Sequence, residues 1–150
     1  MPPATLIKQT FSILIVAGLY FVAAKLGLMV AFVHSSVTTV WPPSGLALAV
    51  LLVFGWPMLI GVALGAFLIN FSNGLPLAIA LAIACGNTLQ AYVGAWLLAQ
   101  VTDFRRDLSR LRDLVALIVL GAIVSTLVAA TVGTLALVLG HRAPTELASS

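Results

Sequence analysis

Charge is what this chain of 150 residues lacks. Seven Lys or Arg and four Asp or Glu make up 7% of it, against roughly 25% in a soluble globular domain. No charged residue stands between Leu26 and Thr102, and none between Leu114 and His141. A water-facing surface cannot be assembled from such stretches, so an ordinary soluble enzyme and a disordered chain are both excluded. Cysteine is nearly missing as well. Cys85 stands alone, which rules out an internal disulfide, and it reads as a packed small hydrophobe. The two histidines, His34 and His141, fall in different loops and make no metal site. Gly61 and Gly65 form a Gly-x-x-x-Gly without the following Lys-Ser/Thr of a phosphate loop. No carboxylate pair and no nucleophile–base set can be assembled. Neither an enzyme nor a bound cofactor is expected.

What is there is apolar: 62% of the residues, with a mean hydropathy of +1.20. Lipid is the solvent such a chain requires, and the fold class it predicts is an all-α, polytopic transmembrane helix bundle. The first apolar run, about Phe11 to Phe32, is longer than the roughly 7–15 residues of a signal-peptide core. It therefore reads as an uncleaved span. Further spans are expected at about Leu75–Leu98 and Leu114–Leu139. The polar end, His141 to Ser150, reads as a tail on a single membrane-embedded domain covering residues 1–150.

Between the first two long spans, His34 to Gly45 is the least helical stretch. Val and Thr disfavour helix there, and Pro42 pushes Trp41 into extended geometry. Pro43 or Ser44 can then open a helix. Leu46 to Phe71 is long enough for one crossing, but Gly55-Trp56-Pro57 interrupts it with a turn signal. The positive-inside rule decides between one crossing and two. Arg105, Arg106, Arg110 and Arg112 cluster in one loop, and Lys8 precedes the first span. If both ends face the cytoplasm, an even number of crossings separates them. A short broken hairpin over 44–71 satisfies this, for about five crossings in all. The net charge of +3 is thus a topology signal and implies no nucleic acid. Irregular backbone at membrane depth is tolerated only in protein or beside a wet cavity, which draws attention to residues 34–43.

Packing faces are expected where small residues recur every four positions: Gly61 and Gly65 in the hairpin, and Gly121, Ser125, Ala129 and Gly133 in the last span. The arginine loop carries Phe104, Leu108, Leu111 and Val115 on one helical stripe. An interfacial amphipathic helix over 103–113 is predicted, resting on anionic headgroups.

Polar residues at membrane depth are the functional candidates. Lys25 either snorkels to the outer surface or faces the bundle. Asn87 and Gln90 share a face, as interhelical glue or as the wall of a ligand site. Asn70 is weighed in the same way, and Trp41 is either an interfacial belt residue or the wall of a pocket.

Lys25-Leu-Gly-Leu28, Val40-Trp-Pro-Pro-Ser-Gly45, Gly55-Trp-Pro57, Leu64-Gly-Ala-Phe67 with Asn70, and Gly86-Asn-Thr-Leu-Gln-Ala91 occur in this order. Together they resemble the membrane-associated sensor domains of the first type, the MASE family. The resemblance implies a sensory input module of a bacterial inner-membrane signalling protein. It also implies a cytoplasmic effector, of histidine kinase or cyclic-di-GMP type such as a diguanylate cyclase, fused or separate. Lys25, Trp41, Pro42, Pro43, Asn70, Asn87 and Gln90 become its signal-sensing candidates. Gln90 departs from the Glu of many members, and the family's domain is longer, so the chain corresponds to its N-terminal part. Membrane lipids and a second copy of the chain are further expected partners. The alternative is a transporter-like substrate-binding subunit, since broken helices with mid-depth polar groups also serve transport.

Overall fold

The computed structural model describes residues 3–33, 41–101 and 109–147. Helix α1, Pro3–Val33, comprises 31 residues, about 46 Å of helix. Helices α2, Pro42–Phe54, and α3, Met58–Ser72, are short, with 13 and 15 residues. At about 20 and 22 Å, neither alone covers a hydrocarbon core of ~30 Å. Helix α4 is Leu77–Gln100. The last rod begins as α5, Leu111–Ala116, passes through a π-helical stretch, Leu117–Val124, and continues as α6, Ser125–Leu147. Among the described residues, three segments are long and apolar enough to cross a membrane: Leu6–Met29, Leu77–Gln100 and Leu111–Leu139.

The boundaries follow from local chemistry. Trp41 is extended (φ −103°, ψ 94°), and the two prolines after it occupy the first turn of α2, where their missing N–H groups cost nothing. Gly55 ends α2 at φ 83°, ψ −174°, a region that only glycine enters readily. Its N–H donates to the Leu51 carbonyl at 2.9 Å. Pro57, already at helical angles, opens α3. Trp56 tilts against Tyr92 of α4, ring centroids 5.1 Å apart, and pins the turn to that helix. A second glycine turn, Gly74 at φ 83°, and Pro76 (ψ 145°) redirect the chain into α4.

Helices α1, α3, α4 and α2 touch in a ring, and the π-stretch and α6 lie against α4. Directions can be read from close approaches. A β-carbon on Gly61 would meet the Ile13 carbonyl oxygen at 2.7 Å, and one on Gly65 the Ala17 carbonyl oxygen at 2.7 Å. Both helices advance by four, so α1 and α3 run the same way. Ser44 and Leu48 of α2 meet Gln90 and Gly94 of α4, so these two run together in the other direction. Gly94 meets Ser125 while Gly86 meets Val132, so α6 opposes α4. The five passes alternate, and Lys8, Arg110 and Arg112 consequently share one end of the bundle.

The core is built from small side chains. Ala24, Val62, Ala66, Ala80 and Leu98 are fully inaccessible, with Tyr20 the one large aromatic among them. Small residues allow the close backbone approach on which helix association in lipid depends. Leucines, isoleucines, valines and phenylalanines on the outer faces remain exposed. Only 11% of the spanning window in the last rod is buried. That surface is insoluble in water and natural in lipid.

Several expected boundaries shift. The helix of the first span begins at Pro3, not near Phe11, and α2 begins at Pro42, ahead of Ser44. Most of the expected interfacial helix over 103–113, with Arg105 and Arg106, lies outside the described residues. Its last three residues, from Leu111, form the first turn of the spanning rod, and Ser109 and Arg110 before them are not helical. The expected tail is helical through Leu147. His34 and the backbone up to Val40 lie outside the described residues.

Candidate signal-sensing site

Two polar arrangements span helices, and the first turn of α2 stands between them. On one side, Trp41 and Pro42 cover Gly27 of α1, where a β-carbon would come 3.2 Å from Pro42 Cδ and 3.4 Å from the Trp41 ring. The Trp41 indole N–H hydrogen-bonds the Tyr20 phenol oxygen. Indole is a donor only, so this bond fixes which edge of Trp41 faces α1. Pro43, next in sequence, is fully buried.

On the other side, Ser44 Oγ donates to Gln90 Oε1 at 3.3 Å, and Gln90 Nε2 donates to Thr126 Oγ1 at 3.1 Å. Gln90 is 5% exposed. Its amide accepts from α2 and donates to α6, so one side chain joins three helices. An ionised carboxylate here could only accept, from Ser44 and Thr126 alike. The glutamine thus sets a directed chain of donors that a glutamate would not. Below it, Ser125 is buried and turns its hydroxyl to the Gly121 carbonyl of its own helix.

Lys25 marks the far end of the bundle. Its Nζ donates to Asn73 Oδ1 at 3.2 Å, across from α1 to the α3–α4 turn. It also lies 5.6 Å from the centroid of the Phe21 ring, within cation–π range. The side chain is half-buried. It is therefore turned onto the bundle's own turn rather than simply extended outward.

The remaining candidates are placed differently. Asn70 bends back to its own helix, Nδ2 to the Ala66 carbonyl at 2.7 Å. Asn87 is half-buried, and no hydrogen bond joins it to Gln90. Gly61, Gly65, Gly121 and Ser125 lie at close helix contacts, whereas a β-carbon on Gly133 would meet nothing within 4 Å. Arg110 and Arg112 are exposed. The sequence did not single out Asn73, Ser44, Thr126 or Tyr20. Nor did it single out Asp113, which is fully buried with neither carboxylate oxygen hydrogen-bonded among the described residues. Among the described residues, no three His, Cys, Asp or Glu side chains are grouped to hold a metal ion.

An alternating helical bundle with lipid-facing outer surfaces and polar clips at its helix junctions defines a multi-pass membrane protein. A family model, MASE1, matches residues 13–150. The chain belongs to the MASE1 family of membrane-associated sensor domains. Neither a curated protein nor a solved structure matches it.

Proposed function

We propose that the chain is the sensory input module of a bacterial inner-membrane signalling protein, with its N-terminus in the cytoplasm. Its output passes to a cytoplasmic effector of histidine kinase or diguanylate cyclase type, fused or separate. The observation that carries this reading is the first turn of α2. It is held to α1 by Trp41 and to α4 and α6 by Ser44 through Gln90, so a displacement there repacks both junctions at once. A stimulus biases the bundle only by the difference in its affinity for two packings. Lys8, Arg110 and Arg112 at one end supply the positive-inside signal. The five alternating passes carry the end of α6 to the side opposite Lys8, so the test joins a diguanylate cyclase catalytic module to the cytoplasmic N-terminus of residues 1–150 and measures cyclic-di-GMP at matched membrane abundance. Ser44→Ala and Gln90→Leu should change output relative to the parent. Equal output from all three, each inserted and folded, would overturn the reading.

The shortness of α2 and α3 favours a second reading, a substrate-binding membrane subunit of transporter type, since discontinuous helices also build transport sites. Uptake of solute into vesicles that hold only this chain would establish it.

A further inference from the structure

We propose that Lys25 and Asn73 form a binding site for a phosphate-type oxyanion at the end of the bundle remote from Lys8. The sensory reading supplies only the meaning of such a site, as a place where the module reads its surroundings; binding itself is independent of that reading.

The charge pattern of the first four helices favours an anion. The chain has four acidic residues and none precedes Asp103, so α1, α2, α3 and α4 contain no carboxylate at all. Of the two acidic residues in the last rod, Asp113 sits at the opposite end of the bundle and Glu146 lies in the last turn of α6, at the Lys25 end. Lys25 nevertheless places a full positive charge against this part of the molecule. Its partners are a neutral amide oxygen, Asn73 Oδ1, and the face of Phe21. Among the described side chains this ammonium meets a neutral acceptor and an aromatic face and no opposing charge, which leaves room for an anion beside it.

Geometry gives the chemistry. Lys25 follows Lys8 by 17 residues, about 25 Å along α1. With Lys8 at one boundary of a ~30 Å core, Lys25 lies just inside the other, where its stem reaches the level of lipid phosphates. The ammonium has three donors and spends one on Asn73. Asn73 is exposed and keeps its own Nδ2 as a second donor beside it. Helix α4 opens four residues later without a side-chain cap, and its first N–H groups add positive potential on the same side. A cation, an amide donor and that potential converge on a multi-oxygen anion. Such an anion is available as an anionic lipid headgroup or as a free phosphate.

The test uses the full chain in neutral detergent and reads its unfolding temperature. It is titrated with short-chain phosphatidylglycerol, with inorganic phosphate, and with chloride at matched ionic strength. Lys25→Arg keeps the charge, Lys25→Gln removes it, and Lys8→Gln controls for a remote lysine. Asn73→Asp supplies an internal counterion and leaves the lysine in place, which keeps the test decisive should Lys25→Gln not fold. The parent, Lys25→Arg and Lys8→Gln should be stabilised saturably, and Lys25→Gln and Asn73→Asp should bind at least about tenfold more weakly. Stabilisation by phosphatidylglycerol alone identifies the headgroup, and stabilisation by inorganic phosphate identifies a soluble oxyanion. No saturable response in the parent, or the same response in Asn73→Asp as in the parent, overturns the site. Binding without any effect on the cyclase chimaera would instead sink the sensory reading and leave the site standing.

Discussion

Gly65 lies against Tyr20 with no room for a side chain between them: a β-carbon on the glycine would sit 2.7 Å from Tyr20 Cβ and 2.7 Å from the Ala17 carbonyl oxygen. Neither atom is the tip of a flexible chain, so the helices themselves must separate. Gly65→Ala and Gly61→Ala should each destabilise the bundle by about 1–3 kcal/mol, the usual cost of overpacking. Gly18→Ala, on the same helix pair but with nothing within 4 Å, should stay within about 0.5 kcal/mol. Reversible unfolding in mixed micelles measures all three.

The Gln90 clip is testable by a double-mutant cycle. Gln90→Leu and Thr126→Val remove the two ends of one hydrogen bond between α4 and α6. Interhelical bonds of this kind are worth about 0.6 kcal/mol on average and up to about 1.7, so a coupling in that range is expected. A coupling of zero would show that the two side chains do not interact.

Gly55 supplies a backbone conformation closed to other residues. Gly55→Ala should cost about 1–3 kcal/mol through strain, although space exists for the methyl group, whose nearest neighbour is Pro57 Cδ at 3.8 Å. A loss of stability with Trp56 and Tyr92 still in contact by fluorescence would locate the cost in the turn. An unchanged stability would contradict the Gly55 geometry.

Topology has its own experiment. In a Cys85→Ala background, Ser109→Cys should be labelled by an impermeant thiol reagent only from the cytoplasmic side. Labelling from outside alone would remove the assignment of the arginines to the inner surface.

Much of this architecture was legible in the residues, for identifiable reasons. Gly55, Pro57, Pro42 and Pro43 punctuate the backbone by covalent geometry, so the hairpin and its turn could be placed without knowing any neighbour. Gly121 and Ser125 were found by their spacing, but Gly133 was not separated from them. Within α6, steps of four drift about 40° each against a 3.6-residue turn, so Gly133 has rotated about 80° away from the face of Ser125. Partners distant in sequence left no local signal. Asn73 is 48 positions from Lys25, and Thr126 is 36 from Gln90. Either could be paired only once the helices were in place. The π-helical stretch is a run of Leu, Ile, Val, Gly and Ala, residues that write no distinctive pattern for that winding.

That stretch gives the last rod an unusual joint. Thr126 and Ser125 are fastened to α4 just beyond it, while Asp113 sits just before it at the arginine-bearing end. Each π turn takes up about one residue more than an α turn. Tightening a single such turn would swivel the Asp113 end by about 100° around the axis with the α4-bound half held still. A small change in winding is thereby equivalent to moving a carboxylate from one side of the rod to another.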